Sequence, residues 1–204
     1  MLGAHEEFWR GSFGDAYVER NRDSRFVAAN VALFTRILQR TGPLESVLEL
    51  GCNVGLNLRA LSTLQPQARL TGVEINASAA AEARAWGGAT IVEGSFLQPQ
   101  DFGQHTLTFT KGVLIHIDPE QLTKAYDTLV RSSSRYVLVA EYYSPSPVMV
   151  PYRGESERLY KRDFAGELLD RHPHLSLVDY GFCWRRDPTF PMDDLTWFLL
   201  EQRS

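Results

Sequence analysis

The sequence predicts a single doubly wound α/β domain, in which a mostly parallel sheet is covered by helices on both faces. Three observations carry that reading. The apolar run at 46–50 stops at the turn Gly51-Cys52-Asn53-Val54-Gly55. Too short for a helix and bounded by turn residues, it reads as a strand buried on both faces. A second run, 70–75, contains Glu74, about twenty residues on, where a doubly wound sheet places an acid that accepts from a ribose diol. Finally, strand, helix, strand, helix and strand follow one another within about fifty residues, a βαβαβ half with right-handed crossovers.

In chain order, residues 1–22 form an N-terminal arm that mixes rings with hydrogen-bonding groups: Trp9, Phe13, Tyr17, Arg20 and Asn21. Such a mixture suits a lid over a small-molecule pocket, with an aromatic patch on the core as the other reading. A helix starts at 24, with Asp23 or Ser24 as its N-cap. Its stripe of Phe26, Val27, Val31, Phe34, Ile37 and Leu38 is assigned to the core rather than to the site. Gly42-Pro43 ends it. After the glycine turn, Leu56, Leu58, Leu61 and Leu64 make the first crossover helix, stopped before Pro66. Strand two is 70–74, and Asn76 caps the alanine-rich helix 77–86, closed by Gly87-Gly88. Strand three is 89–93, followed by Gly94-Ser95-Phe96.

Strand four, 107–110, ends in Lys111-Gly112 and lies beside strand one, so its carboxyl end overlooks the site. Asp118-Pro119-Glu120 starts a helix in the usual order of cap, proline and acid, with Leu122, Ala125, Tyr126, Leu129 and Val130 inward. Strand five is 135–143. From 144 to 161 runs a loop rich in Pro, Tyr and charge that leaves the binding edge of the sheet. Loops this long are functional or disordered, and its Tyr and Arg content favours an ordered pocket wall. A helix at 162–171 follows. Two strands, 175–184 and 195–201, are joined by the Pro-rich segment 187–194 without a helix, so they pair antiparallel.

Composition narrows the function classes. The net charge of −4 and the lack of a Lys/Arg run argue against nucleic acid. No stretch has the length of a membrane span, and the N-terminus carries charge where a signal peptide is apolar. Cys52 and Cys183 form neither a spaced pair nor a metal pattern, which fits a reduced, cytoplasmic protein without a metal.

The turn after strand one identifies the ligand class. A dinucleotide fold wants G-x-G-x-x-G, whose middle glycine admits a pyrophosphate. Here Glu49 precedes Gly51, Asn53 stands where the middle glycine would be, and Gly55 follows two residues later. An acid at the strand end suits a cationic amino-acid end and repels phosphate. The pattern resembles the E-x-G-x-G-x-G loop of class I S-adenosylmethionine (SAM)-dependent methyltransferases, with Asn53 the one departure. The chain as a whole resembles the pseudaminic acid biosynthesis-associated methyltransferases. That resemblance rests on Phe8-Trp-Arg-Gly-Ser-Phe-Gly-Asp-x-Tyr17, Glu49-Leu-Gly-Cys-Asn-Val-Gly-x-Asn57, Phe109-Thr-Lys-Gly-Val-Leu-Ile-His-Ile117 and Tyr152-Arg-Gly-Glu155.

The resemblance implies a three-layer Rossmann-like class I methyltransferase fold, seven strands in the order 3-2-1-4-5-7-6 with an antiparallel terminal strand. It implies S-adenosyl-L-methionine as cofactor, S-adenosyl-L-homocysteine as product, and methylation of an O or N nucleophile on a small polar metabolite: a sugar, nucleotide-sugar or amino-acid-like acceptor. The other readings are an NAD(P)-binding Rossmann oxidoreductase and a SAM-binding protein without catalysis. Glu49, Gly51, Cys52, Asn53, Gly55 and Asn57 would border the methionine part, Glu74 and Ile75 the ribose, and Gly94, Ser95 and Phe96 the adenine. Lys111 and Gly112 close the strand-four side. Ser95 stands where methyltransferases commonly carry an acid for the adenine amino group, and it accepts more weakly. Phe96 either stacks on adenine or is a buried strand-end aromatic.

For catalysis, His116 is the candidate general base, since an unperturbed imidazole titrates near neutrality; the competing reading is a His that packs locally. Glu141 is the second candidate, as base or as a carboxylate that positions an amine. Trp9, Tyr17, Tyr142, Tyr143 and Tyr152 are the expected walls of the acceptor site, with Arg153, Glu155 and Arg158 as polar anchors.

Overall fold

A computed structural model describes residues 3–11, 14, 25–152 and 155–203. The first elements are α1 (Ala4–Arg10), α2 (Arg25–Leu38), β1 (Ser46–Leu50), α3 (Leu56–Leu64), β2 (Arg69–Glu74), α4 (Ala77–Trp86) and β3 (Thr90–Glu93). Then come β4 (His105–Lys111), a 3-10 turn at Leu114–His116, a second at Pro119–Gln121, α5 (Leu122–Arg131) and β5 (Ser133–Glu141). The chain ends with the hairpin β6 (Val148–Tyr152) and β7 (Glu155–Lys161), then α6 (Phe164–Arg171), β8 (Leu175–Phe182) and β9 (Thr196–Gln202).

β1, buried along its whole length, occupies the middle of the sheet, where Val47, Leu48 and Leu50 are covered on both faces. The order is β3-β2-β1-β4-β5-β9-β8. β1 to β5 are parallel, and β9 runs antiparallel between β5 and β8. Because β6 and β7 pair apart from the sheet, this is the order 3-2-1-4-5-7-6 expected from the sequence. Period-2 alternation sends side chains to opposite faces. Val137 and Val139 of β5 pack with α5 and α6, whereas Leu138 and Ala140 pack with α2 and α3. On the outer edge Asn76 caps α4 by accepting from Ala79 N at 2.9 Å.

Two expectations change. Within the stretch 144–161, expected as a loop, Val148–Tyr152 and Glu155–Lys161 pair as antiparallel strands. Pro151 hid this pairing: a residue without an N–H interrupts a strand pattern, and it falls where the β6–β7 register shifts between Val150 and Tyr152. Leu159 of β7 is buried in the core, and β7 packs against the turn Leu114–His116. The helix expected from Asp118 opens instead as a 3-10 turn that runs into α5. Asp118 Oδ1 still accepts from Glu120 N at 3.0 Å, with Pro119 at the first position. The expected caps of α2, Asp23 and Ser24, lie outside the described residues, as do Phe13, Tyr17, Arg20 and Asn21 of the arm. Among the described residues no helix is long and apolar enough to cross a membrane.

Candidate active site

The carboxyl ends of the parallel strands border a cleft of about 480 Å³. Its floor is the turn after β1. Gly51 sits at φ +80°, and a Cβ there would come within 2.7 Å of the Val113 side chain, so only glycine lets the turn meet the loop after β4. Asn53 also adopts a left-handed conformation, at φ 48°. This accounts for the departure from the glycine pattern, because Asn is the residue that enters this region most readily after glycine. Its side chain then accepts from Val54 N at 2.7 Å.

Glu74 is buried at the end of β2, and burial pushes its carboxyl up despite the backbone N–H groups that hold it. Oε2 accepts from Asn53 N at 2.7 Å and Oε1 from Asn76 N at 2.8 Å. A carboxylate has about four acceptor positions; with Ile75 N also bearing on this one, a single position stays open toward the cleft. The acid thus braces the turn and faces the cleft at once.

Glu49 is fully buried behind the turn, and burial pushes its carboxyl up to about 8. Asn57 Nδ2 donates to Glu49 Oε1 at 2.5 Å. Glu49 Oε2 and Asn57 Oδ1 are both buried and, among the described residues, both lack a hydrogen-bond donor. Asn57 lines the cleft, whereas Glu49 stands behind it. Unsatisfied buried acceptors are costly and rare. The two lie together at the end of the central strand, behind the part of the wall that Asn57 contributes. Lys111 lines the other side, its ammonium pulled down by burial and held up by Glu49.

Gly51, Cys52, Asn53, Ile75, Ser95, Phe96 and Gly112 also line the cleft, while Gly55 and Gly94 bend the chain at its margin. Phe96 belongs to the core and to the cleft wall together. Its two readings are therefore not exclusive.

At the other end of the cleft, His116 closes the 3-10 turn, 6% exposed, with its ring centroid 4.6 Å from that of Trp9. Tyr142 lines the cleft and carries Lys161 Nζ 5.4 Å from its ring centroid. Tyr143 faces away, its ring beside Phe198 and 43% exposed, as alternation out of β5 requires. Glu141 is fully buried beneath the turn rather than in the cleft. Its oxygens accept from the backbone N–H groups of Val113, Leu114 and Ile115 at 3.0–3.4 Å. Burial pushes its carboxyl up to about 7 against those donors. This carboxylate holds the segment that presents His116. Tyr152, Glu155 and Arg158 belong to the hairpin by their backbones, but their side chains, and Arg153 altogether, lie outside the described residues.

Sequence reasoning missed several lining residues. Phe26 and Asn30 project one turn apart from α2 into the cleft, although that helix face was assigned to the core. The signal was present: Asn30 is a polar residue within an apolar stripe. Met192 and Asp193 also line the cleft. They lie on the β8–β9 connection, which returns across the carboxyl edge because β8 runs parallel to β5. Glu6 of α1 borders the end near Ser95. Among the described residues no group of three or more His, Cys, Asp or Glu is placed to hold a metal ion.

No protein-family model and no characterised protein sequence matches the chain. Its fold is nevertheless that of several solved enzymes. Magnesium protoporphyrin IX methyltransferase from Synechocystis PCC 6803, with bound S-adenosylhomocysteine (SAH), is 15% identical with a TM-score of 0.71, over 98% of both chains. The 1,6-didemethyltoxoflavin-N1-methyltransferase of Burkholderia thailandensis, with its substrate and SAH bound, is 17% identical with a TM-score of 0.72. That match covers 100% of this chain and 92% of the other. The N-methyltransferase NodS of Bradyrhizobium japonicum WM9, in complex with SAH, is 18% identical with a TM-score of 0.68, over 91% of each chain. At these identities the likeness is one of architecture: the chain has the Rossmann-like class I methyltransferase fold.

Proposed function

We propose that the protein is a SAM-dependent methyltransferase acting on an O or N nucleophile of a small polar metabolite. The observation that carries this reading is the pair of buried, donorless acceptors, Glu49 Oε2 and Asn57 Oδ1, one strand over from Glu74. An amino-acid ammonium entering on the side where Asn57 lines the cleft would satisfy the pair once the turn gives way to admit it, and a ribose hydroxyl would take the open position of Glu74. A nicotinamide dinucleotide offers the diol but no ammonium, and its pyrophosphate would face Glu49. The bound cofactor would supply an electrophilic methyl group on a sulfonium sulfur.

Around the acceptor end, Trp9 and Tyr142 offer rings that favour a nearby cation, while Lys111, Asp118 and Asp193 bring both signs of charge. Mixed charge suits an amino sugar, nucleotide-sugar or amino-acid-like acceptor over a lipid. The resemblance to pseudaminic acid biosynthesis-associated methyltransferases supports the sugar class, and a cytoplasmic metabolite fits the reduced thiols Cys52 and Cys183.

Calorimetry with SAH against NAD tests the reading: SAH is expected to bind and NAD to be inert, and the reverse would reject it. Turnover of an acceptor separates an enzyme from a protein that only binds the cofactor. Glu74→Ala is expected to weaken SAH by roughly 1–3 kcal/mol, because it removes a charge-assisted bond to a ribose hydroxyl.

Affinity should also depend on pH through Glu49. With its carboxyl near 8 in the free protein, the group is protonated at neutral pH and must ionise to hold an ammonium. SAH affinity is therefore expected to rise about tenfold per pH unit between 6 and 8 and then level off, with proton release on binding. Glu49→Gln should flatten the profile. A flat wild-type profile over that range would remove Glu49 from cofactor recognition.

A further inference from the structure

Ser95 occupies the end of the nucleotide cleft with a hydroxyl that is already committed. Its proton goes to Glu6 Oε1, and its oxygen accepts from Leu97 N at 3.1 Å. Glu6 comes from α1, 89 residues away in sequence. It is held there by Gly3 N, which donates to Oε2 at 2.7 Å, and by Gln98 Nε2, which donates to Oε1 at 3.4 Å. Both Glu6 and Ser95 line the cleft, together with Phe96.

The order of the strands says what part of a nucleoside reaches this place. Along β1, β2 and β3 the ends are, in turn, the ammonium-accepting pair, the hydroxyl-accepting Glu74 and the Ser95 segment. A nucleoside laid across these ends has its base beyond its ribose, over β3. An exocyclic amino group there is a donor of two hydrogens and needs an acceptor. Ser95 has spent its proton and keeps one lone pair, whereas Glu6 Oε2 has an open acceptor position beside Gly3 N.

We infer that Glu6, carried in by the N-terminal helix, is the carboxylate that recognises the 6-amino group of the cofactor's adenine, with Ser95 positioning it. The inference rests on the methyltransferase reading. Glu6 and Trp9, three residues apart, share one face of α1, so base recognition and the seating of Trp9 on His116 become a single event. α1 is then part of the cofactor site.

The test compares SAH with its 6-deamino purine analogue by titration calorimetry. Wild-type protein is expected to prefer SAH by about 10- to 100-fold, the range for a hydrogen bond to a charged acceptor. Glu6→Ala should reduce that preference to threefold or less by weakening SAH alone, roughly as expected for a bond removed from one ligand only. Retained binding of the deamino analogue reports that the variant is folded. Ser95→Asp added to Glu6→Ala should restore the preference, because it returns a carboxylate to the same spot. If Glu6→Ala weakens both ligands equally, or neither, Glu6 is a latch or a bystander and the inference is overturned. Equal wild-type affinity for the two ligands overturns it as well. Wild-type protein that binds neither nucleoside brings down the cofactor assignment itself, and this inference with it.

Discussion

Glu141→Ala is expected to destabilise the protein by about 3 kcal/mol, because three buried backbone N–H groups lose their acceptor at once. For a domain of this size that is a fall of roughly 6–12 °C in Tm. The group sits at the end of β5, fully buried, and binds the amides of Val113, Leu114 and Ile115. Those residues lead into the 3-10 turn that ends at His116, so activity should fall with stability. Calorimetric melting of the variant checks the first effect and kcat the second.

Glu141 also gives stability a pH dependence whose sign follows from the direction of the shift. Its carboxyl lies near 7 in the folded protein and that of Glu49 near 8, both above the unfolded value of about 4.3. The folded state therefore binds more protons between these limits. The stability these groups contribute is present below about 4.5 and is lost as pH rises through 7 and 8. Glu141→Gln should remove its part of that slope, which lies between about 4.3 and 7. If Glu141→Gln left the melting profile untouched and abolished turnover alone, the carboxylate would be acting in the cleft, and the brace assigned here would be wrong.

The fold was legible because its central feature is local and repetitive. A short apolar run ending in glycines, twice alternated with helical stripes, leaves few topologies open, and β1 is buried at every residue as that run requires. The wall of the cleft that borders β1 and β2 was legible for the same reason: Gly51, Asn53 and Glu74 lie at or just past a strand end, and Asn57 opens the helix that follows. The opposite wall was not. Asn30, Met192 and Asp193 reach the cleft through a helix face and a returning connection, and spacing along the chain does not encode how those pack. Glu141 misled for a related reason. An acid at the carboxyl end of a strand next to the site looks catalytic in sequence, and only the fold reveals that backbone amides consume it. The hairpin at 148–161 was hidden by Pro151, which masks a strand pattern without preventing one where the ladder already breaks.

Under the proposed methyltransferase function, and with a hydroxyl acceptor, His116→Ala is expected to lower kcat by about 10²–10⁴-fold with SAH affinity nearly unchanged. Methyl transfer is an in-line displacement, so the protein must mainly hold nucleophile and methyl carbon in contact. As the new O–C bond forms and the C–S bond breaks, the hydroxyl proton must leave. Among the residues that line this end of the cleft, His116 carries an imidazole, the side chain most often used as a general base. Its ring is packed on Trp9, and its backbone N–H donates to Val113 O at 2.9 Å, within the turn that Glu141 braces. The imidazole is thus fixed at the cleft wall. Trp9→Ala should raise KM more than it lowers kcat, because it removes a wall and leaves the base. An amine acceptor separates cleanly from this case. It needs a carboxylate to position it rather than a base, so His116→Ala would be mild while Asp193→Asn or Glu155→Gln abolished acceptor binding. That outcome would replace proton removal by positioning as the chemistry of the site.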